Sequence, residues 1–196
     1  VITNEENGLK RGYRSDLSRQ RFAVLNPELT YTLPPYQTAN GAVDIMMHTM
    51  ERYFTSECDL LLTDALGEGL MRTVMECAST LRDDPANYAA RANMMWASSL
   101  SHNGLTGCGS VEDWASHQLQ HELGGMFDCS HGAGLAAVWP SWARYVMDAD
   151  YALFARFAVK VMGAAPAADE RETAERGVAA VEFFFRSIGM PTNIRE

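Results

Sequence analysis

The stretch "HQLQHELGGMFDCSHGAG", residues 117–134, holds three of the chain's five histidines together with a glutamate and an aspartate. His117 and His121 are four apart, so on a helix they lie one above the other, with Trp114 on the same side. A polar ring buried on such a face without a partner costs about 1–3 kcal/mol, so acceptors, carboxylates or a cation must lie nearby. Gly124 and Gly125 weaken the helix, and "FDCSHGAG" turns the chain so that His131 comes back toward it. A second segment, "ANGAVDIMMHTMERY", sets Asp44 and His48 at the same four-residue spacing, with Glu51 one turn further. Alone, that pair also fits a simple Asp–His hydrogen bond on a solvated face. Together, the two segments bring four of the five histidines and a helix-aligned carboxylate into a small part of the chain.

Three neutral imidazoles and one carboxylate suit a borderline divalent ion, Fe²⁺ or Zn²⁺, whereas Ca²⁺ and Mg²⁺ call for all-oxygen sets. Affinity order by itself favours Zn²⁺ over Fe²⁺. The zinc-protease pattern H-E-x-x-H does not fit, because Gln118 follows His117, Glu122 follows His121, and Gly125 stands four beyond His121. No G-x-S-x-G is present, and Cys129, two residues before His131, lacks the flanking pattern of a cysteine protease. A core cluster of structural histidines, in a non-catalytic helical domain, stays open as the alternative. His102 in "SSLSHNGL" reads as a polar helix-end histidine or as a group near the cleft. Met46, Met47 and Met50 read as core fillers rather than a copper site.

These residues need a scaffold, and the chain supplies a helical one. Its 196 residues, 47% hydrophobic and 21% charged, suffice for one sizeable core. A net charge of −9 and a pI near 5.0 repel phosphate backbones, which excludes nucleic acid as a partner. No apolar run is long enough to span a bilayer and the start lacks the apolar core of a signal peptide, so a cytoplasmic protein without a membrane role is expected. Cys58, Cys77, Cys108 and Cys129 form no C-x-x-C pair and read as reduced thiols.

Residues 1–37 read as a short hairpin, "VITN" to "LKRGY", followed by "RFAVLNP" as a strand or extended arm. From residue 38 to 196 the pattern is helical, with helices predicted at 40–54, 57–82, 85–103, 111–125, 132–147, 150–162 and 166–188. Ser56 with Asp59, Asp84 before Pro85, and Ser110 with Asp113 are the predicted helix starts. Pro140 is expected to kink or split the fifth helix, and Gly189 to stop the last. The fold class is therefore mainly α: a helical bundle with a short extended/β N-terminal arm.

Three longer segments carry a resemblance: "TYTLPPYQTANGAVDIMMHTMERYFT", "NYAARANMMWASSLSHNGL" and "DWASHQLQHELGGMFDCSHGAGLAAVWPSWARYV". Jointly they resemble the iron-containing alcohol dehydrogenases, in their butanol-dehydrogenase and aldehyde-reductase branch. The resemblance implies a dehydroquinate synthase-like, all-helical C-terminal domain that holds a metal, paired in the intact enzyme with an N-terminal NAD(P)-binding α/β domain. It implies Asp44, His48, His117 and His131 as metal ligands, and His121 as a catalytic proton-relay or positioning group near the nicotinamide. Leu33, on the arm with Tyr31 and Pro34, becomes a candidate cofactor or substrate contact alongside His121. A small alcohol or aldehyde is the implied substrate, and a homo-oligomer the implied assembly. A metal-dependent lyase or synthase of the related glycerol-dehydrogenase and dehydroquinate-synthase group fits less well.

The chain departs from that family in lacking a G-x-G-x-x-G loop after a strand; "GLTGCGS" at 104–110 lies between helices. Both ends read as cuts through a longer protein, truncated also at the C-terminus. On this reading the isolated chain holds metal but has no dehydrogenase activity.

Overall fold

The computed structural model describes residues 2–13, 15–55 and 60–196. The predicted Ser56–Asp59 helix start and Cys58 lie outside the described residues.

The chain opens with an antiparallel hairpin, β1 (Ile2–Asn4) and β2 (Leu9–Arg11), with Ile2 opposite Arg11. Asn4 and Asn7 fold the turn between them, their side-chain oxygens accepting the Glu6 and Leu9 backbone N–H groups at 3.0 and 3.2 Å. The segment "RFAVLNP" then runs as an arm with no strand partner. It ends in a 3₁₀ turn, Pro27–Thr30, whose N-terminus is capped by Asn26.

Seven α-helices follow among the described residues: α1 (Pro35–Tyr53), α2 (Leu61–Asp83), α3 (Tyr88–His102), α4 (Ala115–Phe127), α5 (His131–Val146), α6 (Tyr151–Lys160) and α7 (Glu170–Ser187). The mainly helical class holds; several predicted ends do not. α1 starts five residues earlier than 40, because a proline in the first turn gives up no hydrogen bond and presets the helical φ. α3 starts at Tyr88, capped by Asn87, whose Oδ1 accepts the Ala90 N–H at 3.0 Å, and Asp84 lies before it. α4 starts at Ala115: Asp113 Oδ1 accepts the Ala115 N–H at 2.8 Å, while Ser110 instead donates to the Arg52 carbonyl at 3.0 Å. α7 starts at Glu170, capped by Asp169, whose Oδ1 accepts the Glu172 N–H at 2.7 Å. α5 passes unbroken through the buried Pro140.

α4 also runs through Gly124 and Gly125 to Phe127, where Asp128 at φ 51° ends it. Gly125 serves a close approach: a Cβ there would stand 2.7 Å from the Gly8 carbonyl of the hairpin turn.

α1 is the centre of the bundle, packed by α2, α3 and α5, while α6 and α7 form a pair against which α5 also packs. Val43, Met46, Met47 and Met50 are fully buried, as expected of core fillers. Beyond them the core is aromatic, with Trp139, Phe157 and Phe185 the largest buried side chains. Cys77, Cys108 and Cys129 are free thiols. No described helix is long and apolar enough to cross a membrane.

Candidate metal centre

α1 carries Asp44 and His48 on one face, and three other elements bring histidines to it. His102 comes from the last turn of α3, His117 from the first turn of α4, and His131 opens α5. Asp44 is the point of convergence. Its Oδ1 lies 3.5 Å from His117 Nε2 and 3.3 Å from His131 Nε2, and its Oδ2 lies 3.5 Å from His102 Nε2. His48 Nδ1 lies 3.2 Å from Asp44 Oδ1 and 3.0 Å from the Asp44 carbonyl.

Each of these rings is turned by an oxygen at its Nδ1. His102 Nδ1 meets the Ser98 carbonyl at 2.9 Å and Ser101 Oγ at 2.7 Å. His117 Nδ1 is bonded to Glu51 Oε2, and His131 Nδ1 to Gln120 Oε1. A carbonyl or carboxylate can only accept, so Nδ1 carries a proton and, in the neutral ring, Nε2 keeps its lone pair for the interior. That is how a metal-binding histidine is usually held. Glu51 is 1% exposed and also accepts the His117 backbone N–H through Oε1 at 3.0 Å. Gln120 is fully buried.

The mount beneath the rings is equally specific. Asn40 on α1 accepts the Ala133 N–H at 2.7 Å through Oδ1 and donates to the Tyr36 carbonyl at 2.8 Å, so α1 caps α5 from outside. Gly132 makes this possible, because a Cβ there would sit 2.3 Å from the Asn40 carbonyl oxygen. Arg52, buried, donates to the His48 carbonyl at 3.0 Å, to the Ser101 carbonyl, and to Glu112 Oε1 at 2.9 Å. It also lies 4.9 Å over the Trp114 ring, whose Nε1 donates to Glu112 Oε2 at 3.0 Å.

Burial opposes ionisation of Asp44, but the imidazoles of His102, His117, His131 and His48 that face it hold its carboxyl far below the usual carboxylate range. Burial disfavours charge on His117 too, yet the nearby Asp44 and Glu51 push it up to about 9 while no cation is bound, so a metal ion would take the place of its Nε2 proton. His48 is held below its ordinary value, chiefly by burial, with Asp44 acting against it. His121 is also lowered, by burial and then by the neighbouring His131 and His117.

A divalent cation fits these groups. Asp44 Oδ1 and His117 Nε2 are buried without a hydrogen-bond partner, and they face each other. Two donors each about 2.1 Å from one ion stand about 3.0 Å apart at right angles and about 3.4 Å apart at the tetrahedral angle, close to the 3.3–3.5 Å found between Asp44 and the three Nε2 atoms. Donor atoms of Asp44, His117 and His131 lie within 4.8 Å of one another, and so do those of Asp44, His48 and His102. The four residues that the resemblance implies as ligands lie around Asp44, their donor atoms falling in two groups rather than one.

His121 stands beside the centre, its ring stacked on His131 at 5.6 Å and 6.3 Å from His117. Leu33 is exposed in the turn before α1. Three residues matter more than their spacing suggested. Glu51 shares the helix of Asp44 but anchors His117, Gln120 was hidden inside H-Q-L-Q-H, and His102 read equally well as a helix end. A cleft of about 830 Å³ opens over His48, His102 and Trp114, walled on the other side by Tyr13, Phe22 and Leu25 of the arm. Asp44 and His131 open instead onto a shallower depression with Asn40 and Ser130.

Residues 38–196 match the family model for the Fe-containing alcohol dehydrogenase family, C-terminal part. The whole chain is 37% identical over 197 residues to NADH-dependent butanol dehydrogenase A of Clostridium acetobutylicum, covering 51% of that protein. It is 38% identical over 196 residues to the NADPH-dependent aldehyde reductase YqhD of Escherichia coli, again over the full chain and 50% of the relative. The crystal structure of NADH-dependent butanol dehydrogenase A from Thermotoga maritima superposes on all of it with a TM-score of 0.95 at 34% identity, over 48% of that protein. The chain spans about half the length of the curated relatives it matches. It belongs to the iron-containing alcohol dehydrogenase family, of which it represents the helical C-terminal half.

Proposed function

We propose that this chain is the metal-binding helical part of an NAD(P)-dependent alcohol dehydrogenase or aldehyde reductase, with Asp44, His48, His117 and His131 as protein ligands of Fe²⁺ or Zn²⁺. One observation carries the reading: histidine Nε2 atoms from three elements converge on a carboxylate whose Oδ1, like His117 Nε2, has no hydrogen-bond partner. A set of merely structural histidines would satisfy those atoms from within the chain. When bound, such an ion supplies Lewis-acid polarisation of an alcohol or carbonyl oxygen.

The chain's own groups prepare for that chemistry. Glu51 and Gln120 hold His117 and His131 in the tautomer that leaves Nε2 unprotonated. Asp44 lowers the net charge of a divalent site, and Trp114 packs edge-on against His48 and His117 at 5.4 and 5.2 Å, which restrains both rings. His121, kept neutral by its surroundings, is placed to hold or pass a proton beside the substrate. The cleft over His48 and His102 receives a small alcohol or aldehyde. The nicotinamide is met from a nucleotide-binding domain outside residues 38–196, and the intact enzyme acts as a homo-oligomer.

Elemental analysis of the purified protein tests the reading directly: near-stoichiometric Fe or Zn is expected, and a protein that takes up no divalent ion even after reconstitution refutes it. With NAD(P)H and butanal, the isolated 196-residue chain is expected to bind metal without turnover.

A further inference from the structure

We propose that His102 is a fifth protein ligand of the ion held at Asp44, in addition to the four that the family resemblance implies. The inference rests on the metal-centre reading above and names a residue outside that set. His102 presents itself as His117 and His131 do, with Nδ1 tied to an acceptor carbonyl and Nε2 3.5 Å from the same carboxylate. It comes to the oxygen that the others leave free, since His117 and His131 address Oδ1 and His102 addresses Oδ2. Its ring lies on His48, with centroids 3.8 Å apart and planes 30° from parallel, so two imidazoles stand side by side at the cleft face of Asp44. The donor atoms of Asp44, His48 and His102 lie within 4.8 Å of one another.

The placement is also built rather than incidental. Arg52 binds the carbonyl of His48 at 3.0 Å and that of Ser101, so one buried guanidinium clamps the ligand turn of α1 to the last turn of α3. Ser101 Oγ donates to the Ser98 carbonyl at 2.9 Å and touches His102 Nδ1 at 2.7 Å, which fixes the ring's rotation. A helix-end histidine serving only as a polar cap has no need of such support.

Binding one ion through four nitrogens and a carboxylate would draw the two donor groups together around Asp44 and leave room for a sixth ligand. Such a set suits an ion that accepts six ligands, as Fe²⁺ does, better than Zn²⁺ in its usual tetrahedral sites. His102 in this account shapes which metal the centre prefers.

The test uses Co²⁺, whose visible bands intensify as coordination number falls. Metal-free wild-type protein, His102→Ala and His102→Gln are titrated with Co²⁺, and the metal-free forms are melted to show that they are folded alike. Both variants are expected to bind Co²⁺ at least about 10- to 100-fold more weakly, the range that loss of a group merely orienting a ligand already produces, with more intense visible bands than wild type. Their preference should shift from Fe²⁺ toward Zn²⁺ in competition. Folded variants with wild-type affinity and spectrum overturn the role of His102 while leaving the metal centre intact. A wild-type protein that takes up two ions, one of them lost with His102, overturns it in favour of a second seat. Wild-type protein that binds no Co²⁺ overturns the metal-centre reading itself.

Discussion

The two ends of this bundle solve the problem of burial in opposite ways. Around α6 and α7 the interior is apolar and aromatic: Phe54 stacks on Phe154 at 4.2 Å, and Phe157, Phe185, Val178 and Val181 are almost wholly buried. The main polar tie there is closed, with Arg156 donating to Glu68 at 2.8 Å and Asp64 at 2.7 Å, and Tyr53 donating to Glu68 at 3.0 Å. Around Asp44 the chain instead buries Asn40, Glu51, Arg52, His117 and Gln120, and leaves Asp44 Oδ1 and His117 Nε2 without partners. Orphan atoms alone do not mark the difference, since Trp139 Nε1 is unpaired as well, lying among aromatic neighbours such as Phe54 at 6.0 Å and Phe157 at 6.2 Å. What distinguishes the Asp44 region is that two of its orphans, Asp44 Oδ1 and His117 Nε2, face one another. Local rules are broken there in concert, as a functional site requires, and the aromatic end supplies the stability that sustains it.

That division predicts which changes move metal and which move stability. Asp44→Ala should abolish metal retention, the largest effect, while the metal-free protein stays folded and melts only slightly lower than wild type, because the histidines facing the carboxylate lose its charge while the removal of an unsatisfied buried oxygen offsets part of that loss. Inductively coupled plasma analysis reads the metal and thermal melting reads the fold; an unfolded metal-free variant would make Asp44 a structural residue and break the comparison. Phe157→Ala is the reverse case. Urea unfolding should show a loss of about 3–5 kcal/mol, with metal affinity of the folded protein unchanged. Coupled loss of both would mean that the two ends are one cooperative unit in function as well as in folding.

How much of this the sequence could tell follows from what kind of signal each part leaves. Helix identity was legible, since apolar spacing is local: Met46, Met47 and Met50 announce a buried α1 face, and they are buried. Helix starts were less so. Asp84 and Ser110 have the chemistry of a cap, but Asn87 and Asp113 compete for the same role a few residues on, and only tertiary packing chooses. The glycine pair of α4 was legible as special, though its purpose is contact with the hairpin at Gly8, a partner more than a hundred residues away in sequence. The same limit governs the candidate site. Asp44 with His48 and His117 with His121 leave a four-residue spacing to read. Glu51, Gln120 and His102 act through partners on other helices, and no spacing records that.

Glu51→Gln probes the support beneath the metal region. A carboxylate accepts both from the His117 backbone N–H and from its Nδ1–H, whereas an amide has one accepting oxygen, so one of those bonds is lost or reversed. Metal affinity should fall by about 10- to 100-fold, as for loss of a group that orients a ligand, with Glu51→Asp recovering part of it. A drop in melting temperature without change in affinity would place Glu51 with the stabilising residues instead.

The smallest effect on metal is expected from His121→Ala, and its smallness is the point. His117 and His121 share a helix face four residues apart, so spacing gives them equal standing, yet His117 is 5% exposed and its Nε2 points at Asp44. His121 sits outward, half-buried, stacked on His131. It belongs to neither group of donor atoms around Asp44. The variant should therefore keep its metal and its Co²⁺ spectrum, and in an enzyme complete with its nucleotide-binding domain it should lower kcat more than metal content. Metal loss equal to that of Asp44→Ala would make His121 a ligand, and the line between the groups that hold the ion and the group that works beside it would have to be redrawn.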